Sequence, residues 1–341
     1  MKDYTFVIDV DGTLCPIKKE GESYETLPCY AHVRDKIISL KQKGARIVLY
    51  SSRNVRTYDN DIEKIERYTR PILEDWLARN SIPYDELILG KPWAGPKGYY
   101  VDDKALLPSQ FGQWEPTTLI VPICGRSSRY PVGKPKYLYD VDGVPMVAKA
   151  LEGLRSDLFD RIVFAVVKAH EDEYGVISTI KGIVPNAEFV ILEDHTSSQS
   201  ETVAETIRRA EIKGGIAIRD CDNAIEVHDM PCGNFVTGYE LRYTDSLEAH
   251  ANKSFILKDK SKKVVAIYEK DAVSDTISCG FYGFADASQF LEYFERSETV
   301  GEKYISAIIQ AMLKDGIAFS YLQSDSFMDW GTIDDYNRYR Q

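Results

Sequence analysis

Residues 6–14 read Phe-Val-Ile-Asp-Val-Asp-Gly-Thr-Leu, and this segment constrains the fold of the chain more than any other. The apolar, β-branched run around Asp9 predicts a buried strand. Asp9 and Asp11 stand two residues apart, so both carboxylates leave the strand on one side, and a Gly-Thr turn follows at once. A buried strand that delivers two carboxylates to a loop concentrates negative charge that nothing nearby in sequence neutralises. Two readings follow from the residues alone. One is a strand ending in an ordinary Asp-Gly turn. The other is a centre in which a divalent cation offsets the charge and a carboxylate acts as a nucleophile.

The rest of the first third repeats the pattern. Ile47-Val48-Leu49-Tyr50 ends in Ser51-Ser52-Arg53-Asn54, Leu87-Ile88-Leu89 ends in Gly90-Lys91-Pro92, and Tyr99-Tyr100-Val101 ends in Asp102-Asp103-Lys104. Helical stretches lie between them, so the spacing predicts a parallel βαβ sheet with a polar group at each strand's carboxyl end. With D-x-D-G-T, a Ser after strand two, a Lys and an acidic pair in order, residues 3–107 resemble the haloacid dehalogenase (HAD)-like phosphatases. The "Y-V-D-D-K-A" and "G-K-P" forms look most like the capsule-biosynthesis group.

That resemblance implies a role for each matching residue. Asp9 is the nucleophile that forms an aspartyl-phosphate, and Asp11 protonates the leaving oxygen and then activates water. Ser51, with Ser52 beside it, and Lys91 hold the phosphoryl oxygens. Asp9, Asp11, Asp102 and Asp103 form the Mg²⁺ site, because a hard cation prefers oxygen donors. Arg53 and Arg56 either grip an anionic group of the substrate or are solvated arginines at a helix start. Intervals of about 40 residues between motifs leave little room for a cap domain.

At 341 residues the chain is long enough for two domains with separate cores. Its formal net charge of −11 argues against binding nucleic acid or anionic membranes, which needs a basic face. It does not argue against nucleotide substrates. Six cysteines without a C-x-x-C pair read as free thiols of a reducing compartment. No signal-peptide pattern and no bilayer-long apolar run is present, so a soluble, cytoplasmic α/β protein is expected. Residues 108–117 carry turn formers without a period and predict a linker, packed down through Phe111 and Trp114. It separates a domain at 1–107 from one at 118–341.

The second domain opens with the strand Thr118-Leu119-Ile120-Val121-Pro122 and the loop Ile123-Cys124-Gly125-Arg126-Ser127-Ser128-Arg129. Lys134-Pro135-Lys136 and Val141-Asp142-Gly143-Val144-Pro145-Met146 follow. A strand feeding a loop of small residues, an Arg and then a Lys suits a triphosphate, although an ordinary βα turn reads the same way. Five further segments extend the pattern: Thr196–Val203, Ile216–Asn223, Tyr268-Glu269-Lys270, Ser278–Tyr282 and Met328-Asp329-Trp330-Gly331-Thr332. Together these resemble the sugar-phosphate nucleotidyltransferases over residues 117–340. The resemblance implies a GT-A-like domain with a mixed, mostly parallel sheet.

By that resemblance Gly125 and Gln199 contact the nucleotide, and Arg129 and Lys136 neutralise the triphosphate. Asp222 and Asp329 hold Mg²⁺, Lys270 clamps the incoming phosphate, and Glu269 accepts from a substrate hydroxyl or amine. Glu269-Lys270 also reads as an exposed pair at a strand edge. Two positions depart from the family pattern: Ser127 replaces the usual second glycine of the loop, and Ser198-Gln199-Ser200 replaces S-G-Q-A.

The expectation is a bifunctional enzyme of capsular or other surface polysaccharide precursors, pairing a phosphatase with a nucleotidyltransferase. The nucleotide is CTP or UTP in preference to others, the acceptor is a phosphorylated small molecule, and a homo-oligomer is left open. One alternative is a phosphatase whose second domain binds a nucleotide as a regulator. A scaffold without catalysis is the other, disfavoured by intact Asp9, Asp11, Lys91 and Asp102.

Overall fold

The apolar runs of the sequence become two separate sheets, one in each of two compact units, Met1–Trp114 and Glu115–Gln341. The structure is a computed structural model. It describes residues 1–95, 97–100, 102, 105–131, 133–154, 159–227, 233–242, 250–297 and 302–340, with the side chains of 109, 110 and 113 left aside.

In the first unit β1 (Thr5–Ile8), α1 (Ala31–Gln42) and β2 (Arg46–Ser51) are followed by α2 (Ile62–Tyr68), α3 (Arg70–Arg79), β3 (Glu86–Leu89) and α4 (Pro108–Gln113). The strands pair in parallel in the order β1-β2-β3, as the alternation of strands and helices requires. Helix α1 forms because Val33, Ile37 and Leu40 recur at helical spacing and bury one face. The core gathers Ile8, Val10, Ile37, Leu49, Leu73 and Trp76.

Three expectations change here. Strand β1 is an edge of the described sheet rather than a buried strand, and Val7 on its uncovered face is 63% exposed. Tyr99 and Tyr100 are not in a strand, and Tyr99 is 87% exposed; Val101, Asp103 and Lys104 lie outside the described residues. A three-residue run between Gly98 and Asp102 supplies too few apolar side chains to cover a sheet position. The segment read as a linker contains α4, whose Phe111 is buried, with Phe6 5.7 Å from Phe111 and 5.1 Å from Trp114 between ring centroids.

The second unit begins with β4 (Thr117–Pro122), β5 (Asp140–Val141), β6 (Val144–Pro145) and α5 (Met146–Glu152). Next come β7 (Arg161–Val167), α6 (Lys168–Tyr174), α7 (Val176–Lys181), β8 (Glu188–Leu192), α8 (Gln199–Arg209) and β9 (Gly215–Arg219). Then follow β10 (Asn223–Ile225), β11 (Phe235–Glu240), β12 (Ser254–Lys258), β13 (Lys263–Glu269) and β14 (Thr276–Phe284). The unit ends with α9 (Ala287–Arg296), α10 (Ile305–Lys314), β15 (Phe319–Gln323), β16 (Phe327–Asp329) and α11 (Ile333–Tyr339).

Nine strands form one sheet in the order β11-β15-β13-β12-β14-β9-β4-β7-β8. Strands β9, β4, β7 and β8 are parallel and reached through helices, and β4 reads as a continuous apolar run because helices cover both faces. Leu119 and Val121 feed one core, and Ile120 feeds the other.

The sheet is mixed, as expected, but not mostly parallel. Strands β12, β13 and β14 run antiparallel to their neighbours, and a short turn joins β12 to β13. The turn at 259–262 is closed by Asp259, which accepts from the backbone N–H groups of Ser261 and Lys263.

Candidate functional site

In the first unit, parallel pairing delivers Asp9 and Asp11 after β1, Ser51 at the end of β2 and Lys91 after β3 to one sheet edge. Lys91 Nζ donates to Asp9 Oδ1 at 2.9 Å. Burial raises the Asp9 carboxyl above its ordinary value, and the Lys91 hydrogen bond partly offsets this. Arg53 is 2% exposed and is no solvated surface group. Its Nε donates to Asp11 Oδ2 at 3.1 Å and its Nη2 to Asp11 Oδ1 at 2.8 Å, with the guanidinium 4.3 Å from the Tyr24 ring centroid. The fork engages both Asp11 oxygens in a bidentate ion pair.

Ser51 is fully buried, and its Oγ accepts from the Arg53 backbone N–H at 3.1 Å, which ties it to its own turn. Ser52 is half-buried and Asp102 exposed. Asp103 lies outside the described residues. Among the described residues, Asp9, Asp11 and Asp102 do not gather as a metal cage.

The second unit holds an open cavity of about 830 Å³. Gly125 and Arg129 from the loop after β4, Lys136, Gln199, Asp222, Glu269 and Lys270 all line it. Ser127 takes φ 51°, a left-handed conformation that favours glycine, and its Oγ accepts from the Lys136 backbone N–H at 3.3 Å. Helix α8 begins at this wall. Ser198 Oγ caps the helix by accepting from the Glu201 N–H, and Glu201 reaches back to accept from the Ser197 N–H just before the cap.

The two strand-end aspartates meet at Gly331. Asn223 of β10 pairs with Asp329 of β16. A Cβ on Gly331 would lie 3.1 Å from Asp329 Oδ1, 3.6 Å from Asp222 Oδ2 and 3.7 Å from Lys253 Nζ. Lys136 Nζ stands 2.5 Å from Asp222 Oδ2, and Lys253 Nζ stands 2.7 Å from Asp329 Oδ2.

Burial would raise the Asp222 carboxyl, but the ammonium groups of Lys136 and Lys253 outweigh it and hold it well below the usual range. Burial would likewise depress Lys136, and the Asp222 carboxylate reverses the shift. The converging donors are carboxylate oxygens, which fit a hard divalent cation such as Mg²⁺. Among the described residues no third His, Cys, Asp or Glu completes a protein cage. Phosphate and water oxygens would fill the remaining positions, as Mg²⁺ requires.

Across the cavity, Glu269 accepts from Ser254 Oγ at 2.5 Å and Ser306 Oγ at 2.7 Å. Lys270, at φ 55°, donates to the Tyr304 hydroxyl at 2.7 Å. The pair is thus part of the cavity wall, although Lys270 itself is exposed.

Two functional candidates were missed from sequence. Asp220 also lines the cavity and accepts from Gln199 Nε2; burial first, and then Asp222, push its carboxyl up. Its signal was present as an acidic residue two positions before Asp222. Lys253 precedes β12 and carried no motif. It reaches the site because antiparallel register sets Ser254 opposite Glu269, and the Lys270 N–H donates to the Lys253 carbonyl at 3.0 Å. Among the described residues all five cysteines are free thiols, and no helix is long and apolar enough to cross a membrane.

No protein-family model and no curated protein matches this chain. Solved structures do. A nucleoside-diphosphate-sugar pyrophosphorylase from Vibrio cholerae RC9 aligns with TM-score 0.55 and 21% identity, over 65% of this chain and 100% of that one. The inositol-1-phosphate CTP transferase from T. maritima aligns with TM-score 0.53 and 12% identity, over 65% of this chain and 93% of that one. A structural-genomics target from Vibrio cholerae shares 36% identity over 33% of this chain and 89% of that one, with TM-score 0.31. The first two likenesses establish a mixed α/β fold of the nucleotidyltransferase type.

Proposed function

We propose that the second unit transfers a nucleotidyl group from an NTP, CTP or UTP in preference, to a phosphorylated small molecule and releases pyrophosphate. The observation that carries this reading is the convergence of Asp222 and Asp329 on Gly331, each beside a lysine, in a cavity bordered by the Gly125–Arg129 loop. An acceptor phosphate oxygen attacks the α-phosphorus in line, the bond to the β-phosphate's bridging oxygen breaks, and pyrophosphate departs. Arg129 and Lys136 neutralise the triphosphate and the charge that develops at the α-phosphoryl oxygens. Lys270 holds the acceptor phosphate. Asp222 and Asp329 would hold Mg²⁺, which supplies charge neutralisation across the reacting phosphates when bound. The fold neighbours named for pyrophosphorylase and CTP transferase activity agree with this reading.

The first unit is read as a cap-less, HAD-like phosphatase, supported by the Asp9–Lys91 contact at a parallel sheet's carboxyl edge. Asp9 attacks phosphorus, the ester oxygen leaves with a proton from Asp11, and water then releases phosphate. Fusion of the two activities suits the synthesis of a capsular or other surface polysaccharide precursor in the cytoplasm.

The test is pyrophosphate release from each NTP with Mg²⁺, against phosphorylated sugars, polyols and amino alcohols, with and without chelator. Lys136→Ala should lower turnover by about 10²–10³-fold. Tight nucleotide binding without pyrophosphate from any acceptor would reject transfer and favour the regulatory reading.

A further inference from the structure

Strand β9 ends in a charged residue at a position where the sheet is otherwise apolar. Arg219 stands two residues after Ala217, on the strand face that packs into the core with Leu119, Phe164 and Phe281, and it is fully buried. Burial disfavours the charged guanidinium, and the carboxylates of Asp220 and Asp222 oppose that effect. Its hydrogen bonds all go to carbonyl oxygens. Nε donates to Ala150 at 3.1 Å, and Nη2 to the Asn223 backbone at 2.6 Å. Nη1 donates to Asn223 Oδ1 at 2.7 Å, with the Cys279 and Gly280 carbonyls at 3.3 and 3.4 Å.

These acceptors have a pattern. Two belong to Asn223, so the guanidinium closes the 219–223 loop on itself, and that loop carries Asp220 and Asp222 along the cavity. Ala150 lies in the last turn of α5, where helix carbonyls have no partner within the helix, and Cys279 and Gly280 lie on β14. The loop is thus fastened to a helix and to the neighbouring strand. The clamp also reaches the second aspartate. Asn223 is the residue paired with Asp329 across β10 and β16, and the Trp330 N–H donates to the Asp222 carbonyl at 2.8 Å. Fixing Asn223 therefore fixes Asp222 against Asp329. An apolar side chain could fill the core here, but a planar fork of donors grips the Asn223 side chain and backbone together.

We propose that Arg219 is a positioning residue that sets the divalent-cation affinity of Asp222 and Asp329 without reaching the cation or the nucleotide. This goes beyond the transferase reading above and rests on it for the role of the two aspartates. Partners that orient ligating carboxylates from outside commonly govern metal affinity by about 10–100-fold. Arg219→Lys keeps the positive charge, but a single ammonium group cannot span Ala150, Cys279 and both Asn223 acceptors.

The experiment uses the full chain. Calorimetry measures the Kd of CTP and UTP in EDTA and across a Mg²⁺ titration, and the Mg²⁺ dependence of pyrophosphate release is followed alongside. Arg219→Lys should need about 10-fold more Mg²⁺ for the same gain in nucleotide affinity and for half-maximal release, with the Kd in EDTA within about twofold of the parent. Asn223→Ala removes one acceptor and leaves the guanidinium in place. It should shift both readouts in the same direction by a smaller factor, and it decides the matter where Arg219→Lys does not fold. The parent's Mg²⁺ dependence in a folded variant of either kind would overturn the inference. An equal loss in EDTA and in Mg²⁺, the mark of a role in stability alone, would do so too, as would a parent whose nucleotide affinity ignores Mg²⁺. A parent that binds nucleotide more tightly with Mg²⁺ yet releases no pyrophosphate would reject transfer, and the shift in Mg²⁺ dependence between parent and variants would still uphold the role of Arg219.

Discussion

Lys253 Nζ lies 2.7 Å from Asp329 Oδ2, a contact between residues 76 positions apart, and it completes a ring of charge with Lys136 and Asp222. Both side chains of the Lys253–Asp329 pair are mostly buried, so the charge is little screened. Lys253→Ala should therefore reduce pyrophosphate release by about 10²-fold, the cost of removing one preorganised charge at a phosphoryl centre. Steady-state kinetics on the folded variant check this. Unchanged turnover would assign Lys253 to structure alone.

The two activities should separate. Asp9→Asn keeps the shape of the side chain and removes the nucleophile. Phosphate release should fall by several orders of magnitude, while pyrophosphate release stays within about twofold of the parent. Measured on one preparation, a joint collapse of both activities would contradict independent sites.

Gly280 has φ 68°, and a Cβ there would stand 2.1 Å from Asp220 Oδ2. Gly280→Ala should cost about 1–2 kcal/mol from the left-handed backbone alone, and more from the displaced carboxylate. A lower Tm with loss of transfer and retained phosphate release is expected. Parent-like stability and activity would show that the β14 backbone relaxes away from the strain.

Burial, followed by the neighbouring Asp222, raises the Asp220 carboxyl above its ordinary value of 3.8. A group whose folded value is raised favours the fold below its unfolded value, and loses that contribution as pH rises through the folded one. Asp220→Asn abolishes this titration. The variant's Tm relative to the parent should therefore be lowest near pH 4 and increase toward pH 7.5. Thermal melts across that range check the sign, and a pH-independent difference between the two proteins would refute it.

Much of this was legible in the sequence, because local chemistry fixes it. The apolar runs at 47–50, 87–89, 118–122 and 216–219 had to be strands, and polar residues just past them had to fall at the sheets' carboxyl edges. Gly125, Arg129, Lys136, Gln199, Asp222, Glu269 and Lys270 accordingly line one cavity.

Properties that depend on partners distant in the chain were not legible. Tyr99 and Tyr100 looked like a strand, but strand formation needs a neighbour to share its hydrogen bonds. Arg53 looked solvated until the fold set it against Asp11 and Tyr24. The direction of β12 and β13 depends on a short turn rather than on the strands' own residues, and that direction alone carries Lys253 to the site. Sequence determined where most strand-forming runs lie and which chemical groups the chain has available. Tertiary structure decided which charges meet, because Coulomb interactions depend on distance in space, and register and crossover set that distance.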